Sequence, residues 1–326
     1  MKKTFLMVAA VAAMLIATGF TACKPNSKPK EIDIYVSGSE RNGTKGVAKV
    51  WKNGKELYEL TDGKSALANS VFVVGGDVYS AGFEDNGTHW VAKVWKNDKE
   101  LYELTDGTKS GEANSVFVAD DKVYTAGYDG NVAKLWKNKS ATDLTDGSKG
   151  ATANSVFVAG SKVYTAGYED HVAKVWRNSK ELFALTSNSS HAYSVFVVGE
   201  DVYTAGDEDN GSSVYVAKVW KNKKEIFHTD GSKHAAALSV YVVGDDIYVA
   251  GDEGSAAKVW KNKEELYELA NNGSARSIVV YNGDVYVAGF EKDGSSNVAK
   301  VWKNGKELYS LADKGIALSI FIAERK

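Results

Sequence analysis

The sequence predicts an all-β fold closed as a seven-bladed β-propeller. Seven near-copies of the segment Val-Ala-Lys-Val-Trp-Lys-Asn run through the 326-residue chain, and their tryptophans are 40 to 44 residues apart. That period is the length of one four-stranded propeller blade. Because blades share one ring and cannot be divided into independent cores, the seven units form one domain. The repeat tryptophans are Trp51, Trp95, Trp136, Trp176, Trp220, Trp260 and Trp302.

The first residues, 1–22, have the pattern of an export signal. Two lysines precede a short apolar run, and small residues then lead to Cys23, the only cysteine of the chain. This resembles the lipobox of bacterial lipoproteins, although Phe20 stands where that motif usually has leucine. The resemblance implies that Cys23 is lipid-modified and that the protein is anchored in the bacterial cell envelope. Lys24 after the cysteine implies sorting to the outer membrane; a plain secretory signal is the alternative.

Composition limits the remaining possibilities. Residues 23–31 carry both prolines and no apolar periodicity, which predicts a flexible tether before the propeller of residues 32–326. A formal net charge of −2 gives no basic excess, so no nucleic-acid partner is expected. One cysteine cannot form a disulfide framework or a cysteine zinc site, and we expect no metal, no other cofactor and a monomer.

Each repeat contains four β-type runs, which we label a to d from the inside of the ring outward. The runs of the second repeat are 70–73, 78–82, 91–95 and 101–104. The chain begins with a b run at 34–36 and ends with an a run at 319–322. The last strand is therefore predicted to complete the first blade, which removes the open seam of the ring.

Turn residues place the hairpins. In the third repeat, Asp129 and Gly130 are the predicted two-residue tip of the b–c hairpin, with Tyr128 opposite Asn131. The same alignment gives three other blades Asn-Gly or Asp-Gly tips, gives two blades the less typical tips Glu-Asp and Glu-Gly, and gives the fifth blade a three-residue tip. An asparagine also follows each repeat tryptophan by two residues, where the left-handed conformation of a c–d turn suits it. These asparagines are Asn53, Asn97, Asn138, Asn178, Asn222, Asn262 and Asn304.

The tryptophan and lysine of each c run are predicted to be structural. With the c–d turn at the asparagine, Trp51 opposes Glu56 and Lys49 opposes Tyr58. The tryptophans are expected to pack between blades; an aromatic ligand ladder is the alternative. A catalytic lysine needs one special environment, whereas this lysine occurs in all seven repeats. Its stem can cover apolar surface while its ammonium group reaches carboxylates such as that of Glu56.

An acidic residue also stands two positions after the glycine of each b run. The b–c and d–a loops of a propeller lie on the same face, so these acids form a ring on that face, which we call the crown. The crown is predicted to recruit a ligand, with solvated turn residues as the alternative. Asp209 in the long fifth hairpin is added to it. The crown consists of Glu40, Glu84, Asp129, Glu169, Glu208, Asp209, Glu253 and Glu291.

A second candidate site lies at the mouth of the central channel. A serine begins each a run, and the residue before it changes from repeat to repeat. It is asparagine in three successive repeats and then becomes tyrosine, leucine, arginine and leucine. These side chains are predicted to line a pocket at the opening, with sequence drift as the alternative. The candidate residues are Asn69, Asn114, Asn154, Tyr193 and Arg276.

Residues 32–326 carry the ordered pattern V-Y-x-A-G, V-A-K-V-W-K-N, L-x-x-L-T-D-G and S-V-F-V. This resembles the highly repetitive seven-bladed propellers of bacterial envelope lipoproteins. The repeats have the length of WD40 units but lack their Gly-His and Trp-Asp signatures. The resemblance implies the fold and no particular activity, because propellers host many functions.

Two functional hypotheses follow. The preferred one is a non-catalytic binding or scaffolding lipoprotein whose b–c and d–a loop face binds an envelope or extracellular protein or glycan. The alternative is a hydrolase or lyase that degrades an extracellular polysaccharide or peptide at the channel mouth. The a runs as predicted contain no Asp, Glu or His, which favours the non-catalytic hypothesis.

Overall fold

The computed structural model describes residues 30–325, and the prediction of a seven-bladed propeller is confirmed. These residues form 28 β-strands in seven antiparallel sheets of four strands each, and they contain no helix. Accordingly, no helix within 30–325 is long and apolar enough to cross a membrane. The predicted signal peptide of residues 1–22 and the predicted lipidation site Cys23 lie outside the described residues.

Strands are numbered in chain order, and each blade is built outward from the channel. The innermost (a) strands are β28 (Gly315–Glu324), β4 (Ala66–Val74), β8 (Gly111–Ala119), β12 (Ala151–Ala159), β16 (Ser190–Val198), β20 (Ala235–Val243) and β24 (Gly273–Tyr281). The b strands are β1 (Ile32–Asn42), β5 (Asp77–Asp85), β9 (Lys122–Asp129), β13 (Lys162–Glu169), β17 (Asp201–Asp209), β21 (Asp246–Glu253) and β25 (Asp284–Asp293).

The outer half of each blade is shorter. The c strands are β2 (Lys45–Lys52), β6 (Trp90–Lys96), β10 (Val132–Lys137), β14 (Val172–Arg177), β18 (Tyr215–Lys221), β22 (Ala256–Lys261) and β26 (Ser296–Lys303). The d strands are β3 (Lys55–Glu59), β7 (Lys99–Glu103), β11 (Ser140–Asp143), β15 (Lys180–Ala184), β19 (Lys224–His228), β23 (Glu264–Ala270) and β27 (Lys306–Ala312).

The last strand closes the ring, as predicted. β28 pairs antiparallel with β1 and so supplies the inner strand of the first blade. Ion pairs then join the two ends of the domain. Arg325 contacts Glu31 and Asp33 at 2.7 Å each, and Lys30 contacts Glu324 at 2.5 Å. The last two residues of the predicted tether are therefore held against the closing strand.

Burial confirms that the repeat tryptophans are packing residues. Their exposed fractions lie between 0% for Trp136 and 4% for Trp260. Trp95 of the second blade belongs to one apolar cluster with Tyr35 and Val50 of the first blade. Aromatic rings also pack from blade to blade along the inner strands, and neighbouring ring centroids from Phe321 through Phe72 to Tyr241 are 4.7 to 5.3 Å apart.

A belt of hydrogen bonds joins neighbouring blades. The serine of each inner strand accepts a hydrogen bond from a backbone N–H of the adjacent inner strand, at 3.1 to 3.3 Å. The belt includes the closing strand, because Ser319 Oγ accepts from Val71 N. The seven serines are Ser70, Ser115, Ser155, Ser194, Ser239, Ser277 and Ser319. A backbone donor that would otherwise be unpaired is thus satisfied at every blade junction.

The c–d turns follow the prediction. All seven turn asparagines have φ between 49° and 58°. Each side-chain Oδ1 also accepts a backbone N–H at the start of the b strand of its own blade, at 2.8 to 3.0 Å. Asparagine therefore serves both the left-handed turn and the tie between two neighbouring hairpins.

The predicted tip of the b–c hairpin is wrong by one residue, which moves every pairing partner by two residues. Tyr128 pairs with Ala133 rather than with Asn131, and the turn residues of the third blade are Gly130 and Asn131. Gly130 has φ of 60° at the first turn position, where a type II′ turn requires glycine. The alignment of repeats fixes equivalent residues but not the phase of the pairing. The fifth blade also has a longer loop than predicted, because Asp209 pairs with Tyr215.

Two further predictions are corrected by bulges. In the first blade a bulge in the c–d hairpin pairs Lys49 with Glu59 and Val50 with Tyr58, so Lys49 does not oppose Tyr58. Trp51 does pair with Glu56. The inner strands also begin earlier than the serines and pass through a bulge there, so they do contain ionisable residues. The acids and histidine that the prediction missed are Glu112 of β8 and His191 of β16, which lie before the bulge, and Glu324 at the end of β28.

Candidate binding site at the channel mouth

The crown acids are engaged by the repeat lysines. In the register found, each lysine pairs with the glycine of its b strand, as Lys93 does with Gly82. The lysine side chain therefore meets no opposing side chain on the b strand and reaches the acid two residues further along that strand. All seven lysines form such a pair, with Nζ–O distances from 2.5 to 3.9 Å. The lysines are Lys49, Lys93, Lys134, Lys174, Lys218, Lys258 and Lys300.

Lys93 and Glu84 keep their charges despite partial burial. Burial acts to lower the pKa of Lys93, but hydrogen bonds to Glu100 and the charge of Glu84 raise it above its usual value. Burial likewise acts to raise the pKa of Glu84, but Lys64 and Lys93 hold it below its usual range. Acid and lysine thus stabilise each other's charged forms. The predicted structural role of the repeat lysine is confirmed by its contacts with carboxylates of the b and d strands.

The crown is consequently a ring of blade-internal ion pairs. Its remaining member, Asp209, accepts a hydrogen bond from the backbone N–H of Gly211 at 2.7 Å and shapes the fifth hairpin loop. Glu208 also accepts hydrogen bonds from Thr186 and Asn188 of the preceding loop. Ligand binding by the crown remains a prediction, and its carboxylates already have partners within the protein.

The residues predicted at the channel mouth are the bulge residues of the inner strands. The bulge is possible because the b strand opposes it with a glycine. A Cβ on Gly127 would lie 1.9 Å from the carbonyl oxygen of Glu112. Bulges re-aim side chains, and the three asparagines bridge neighbouring blades with them. Asn114 Nδ2 donates to Ala153 O at 3.1 Å, and Asn154 Nδ2 donates to Ala192 O at 2.9 Å.

On the other side of the ring, Tyr193 and Arg276 replace the asparagines in blades 5 and 7, and leucines replace them in blades 6 and 1. Tyr193 donates its hydroxyl to Asp207 at 2.8 Å, and His191 Nδ1 lies 2.9 Å from the same carboxylate. Ser274 donates to Asp252 at 2.7 Å. Together with Arg276 these residues come from three successive blades and form a set that we call the mouth cluster. The mouth cluster consists of His191, Tyr193, Asp207, Asp252, Ser274 and Arg276.

Arg276 is the least satisfied member of the mouth cluster. Its Nε is buried and has no hydrogen-bond partner within residues 30–325. The guanidinium carbon lies 5.5 Å from the centre of the Phe290 ring. Burial lowers the pKa of Arg276, and the charge of Asp252 opposes this effect. Burial also raises the pKa of Asp252, although Ser274 and Arg276 act to lower it.

Blades 2 and 3 contribute different groups to the opening. Tyr128 donates to Glu112 at 2.8 Å, and burial raises the pKa of Glu112 although Tyr128 and Asn69 act to lower it. In the second blade Phe83 stacks on Trp90 with 4.9 Å between ring centroids. Trp90 is 43% exposed, whereas the repeat tryptophans are buried. Phe83 pairs with Leu67 of the inner strand beside the bulge, so this stacked pair lies on the face of the opening, and we call it the aromatic rim.

The sequence contained a signal for these additional residues. The residue two positions before the bulge residue on the inner strand pairs with the residue after the glycine of the b strand, as Glu112 does with Tyr128. The pair changes in type from blade to blade while the surrounding residues recur. In blades 2 to 7 the pairs are Leu67 with Phe83, Glu112 with Tyr128, Thr152 with Tyr168, His191 with Asp207, Ala236 with Asp252 and Ser274 with Phe290.

Other features lie apart from this site. A cavity of about 400 Å³ opens beside Phe157 and Phe196 at the a–b turns, the opposite face, and its lining includes no mouth-cluster residue. Among residues 30–325, no group of three or more His, Cys, Asp or Glu side chains is arranged to hold a metal ion.

Comparisons with known proteins add little on function. No protein-family model matches the chain, and no curated protein matches it. Similar solved structures include a crystal structure of a nidogen/laminin complex, 10% identical over 75% of this chain and 98% of that chain, with a TM-score of 0.45. The structure of YjhT is 10% identical over 80% and 97% of the two chains, with a TM-score of 0.44. Likenesses at this level say nothing about a ligand.

Proposed function

We propose that this protein is a non-catalytic binding propeller that takes its protein or glycan ligand at the channel mouth, on the face formed by the b–c and d–a loops. One observation carries the proposal. The blades are near-copies of each other, and their differences include the bulge residue and its neighbouring cross-strand pair, which meet at the opening. Variation gathered at one opening of a repeated scaffold is typical of a binding surface.

The crown has a supporting part in this proposal. Its carboxylates are paired with the repeat lysines, so they hold the hairpins that surround the opening. A ligand at the mouth would contact the hairpin tips, while the ion pairs below them stay intact.

The same proposal includes a cellular address. The basic start, apolar run and single cysteine of residues 1–23 support a lipoprotein anchored through Cys23 in the bacterial outer membrane. Metabolic labelling with a palmitate analogue tests this directly: the wild-type chain should be labelled and fractionate with membranes. A Cys23→Ser variant should lose the label, and labelling that survives this change would refute the anchor.

A capture experiment tests the binding proposal. The purified full chain is mixed with envelope extract and with polysaccharide from the growth medium, cross-linked and analysed by mass spectrometry. A mouth variant combines Arg276→Ala with Tyr193→Phe. A crown variant serves as the matched control with the changes Glu84→Gln, Glu208→Gln, Asp209→Asn and Glu291→Gln.

The two variants separate the two surfaces. The proposal expects one enriched ligand that the mouth variant loses and the crown variant keeps. Loss only in the crown variant would transfer the function to the crown. Equal capture by all three proteins would refute a binding role for this face. Turnover of a polysaccharide or peptide that the mouth variant reduces would instead support the hydrolase or lyase alternative.

A further inference from the structure

The chemistry of the channel mouth restricts the kind of ligand that it can take. Hydrogen-bond donors and acceptors stand side by side in the mouth cluster. The guanidinium of Arg276 offers donors only, and the carboxylates of Asp207 and Asp252 offer acceptors. Asp207 is 5% exposed, so its charge is poorly screened by solvent.

The arrangement disfavours a ligand with strong charge of either sign. An anionic group at Arg276 would also meet Asp252, Asp207 and, across the opening, Glu112. A cationic group at these acids would meet Arg276. A neutral polyol suits both the guanidinium and the carboxylates, because each hydroxyl donates one hydrogen bond and accepts others. Neighbouring hydroxyls on a sugar ring can therefore accept from Arg276 and donate to Asp252.

Arg276 provides a specific reason to expect a ligand. A buried polar atom without a partner costs free energy, and such atoms are few in folded proteins. The Nε of Arg276 is in this condition, while the residue as a whole keeps some exposure to the opening. The Nε has almost no exposed surface, so a ligand pairs with it only when the Arg276 side chain turns toward the opening, where a sugar hydroxyl would supply the acceptor.

Aromatic rings border the polar groups on two sides. On blade 2, the stacked pair of Phe83 and Trp90 leaves the indole 43% exposed. Blade 5, on the other side of the opening, carries a second aromatic group. The ring centroid of His191 lies 5.9 Å from that of Tyr193 and 5.7 Å from that of Tyr215. Aromatic faces carry partial negative charge and attract the polarised C–H groups on the faces of a sugar ring.

We propose that the channel mouth binds a neutral glycan, with the mouth cluster holding sugar hydroxyls and the rim of Phe83 and Trp90 packing against a sugar face. This inference rests on the proposed binding role of the mouth and specifies its ligand. A peptide is the less suitable occupant, because it would bring charged termini and side chains to a site with fixed charges of both signs.

Calorimetric titration of the full chain tests the inference with named probes. The neutral probes are hexasaccharides of glucose (β-1,4, β-1,3 and α-1,4 linked), of mannose and of xylose. Oligogalacturonate is the anionic probe, and a chitosan oligomer is the cationic probe. We expect at least one neutral hexasaccharide to bind with a Kd at least about tenfold lower than that of either charged probe.

Three variants locate the binding. Trp90→Ala changes an exposed side chain and is expected to fold, and it should weaken binding about tenfold. Arg276→Ala alone should weaken binding by a larger factor than Trp90→Ala does. Val243→Ala is the matched control, because Val243 is also 43% exposed but ends an inner strand at the opposite face. The control should bind as the wild type does.

The outcomes separate this inference from the proposed function. Failure of every neutral probe, or tighter binding of a charged probe, overturns the neutral-glycan inference. If capture from envelope extract still depends on Arg276 and Tyr193, the proposed binding role survives that failure. Neutral-glycan binding that Trp90→Ala and Arg276→Ala leave unchanged overturns the location at the mouth.

Discussion

Ile320→Ala tests whether the C-terminal strand is an integral part of the first blade. Ile320 lies in β28 and is 4% exposed, packed in one apolar cluster with Val36 and Trp51. Truncating a buried isoleucine to alanine costs about 2–5 kcal/mol, because transfer free energy is lost and a cavity remains. Domains have only about 5–15 kcal/mol of stability in total, so the loss is large. Urea unfolding followed by tryptophan fluorescence measures it.

The chain offers a matched control within an internal blade. Ile278 holds the equivalent inner-strand position in β24 and is 2% exposed. If the ring is closed as described, Ile278→Ala and Ile320→Ala should lower the free energy of unfolding by similar amounts. If Ile278→Ala lowers the free energy of unfolding as expected and Ile320→Ala does not, the last strand does not complete the first blade.

Two further changes test the geometry around the bulge of the third blade. Gly127→Ala places a Cβ against a backbone carbonyl and should lower the free energy of unfolding by about 3 kcal/mol. Gly150→Ala is the control, because no atom lies within 4 Å of the new Cβ, and it should change that free energy by less than about 0.5 kcal/mol. Equal effects in thermal unfolding would refute the bulge. Burial raises the pKa of Glu112 above its usual 4.5, so its contribution to stability is fully present below that unfolded value and is lost as pH rises through the folded value. Glu112→Gln should therefore raise the Tm at about pH 7 and leave it nearly unchanged at about pH 4; an equal shift at both values would contradict the effect of burial.

Most of the fold could be predicted because the sequence repeats it seven times. Blade number, ring closure and c–d turns follow from periodicity and from residues with one conformational preference, such as Asn97. The pairing register could not be predicted in the same way. In the b–c hairpin, aligned repeats identify equivalent residues but do not decide whether Asp129 and Gly130 or Gly130 and Asn131 form the two-residue turn. In the a–b pairing, the bulge beside Asn114 leaves no local mark except the glycine on the partner strand, Gly127.

The candidate site could be predicted in part. Tyr193 and Arg276 stood out because they break a repeated pattern, and the structure brings them together with acids of two blades. Asp207 and Asp252 were obscured because they follow the b-strand glycine among many other loop acids. His191 was missed because the inner strand begins before the bulge, and sequence alone set its start at the serine.

The central claim is that the ligand covers the channel mouth, and acrylamide quenching of tryptophan fluorescence tests it most directly. Trp90 is 43% exposed, and the other seven tryptophans are at most 4% exposed. The quenchable signal should therefore come from Trp90, and a Trp90→Phe variant should lose it. Adding the ligand recovered in the capture experiment should protect Trp90 from acrylamide. Saturating binding that leaves Trp90 fully quenchable would contradict a site at the mouth.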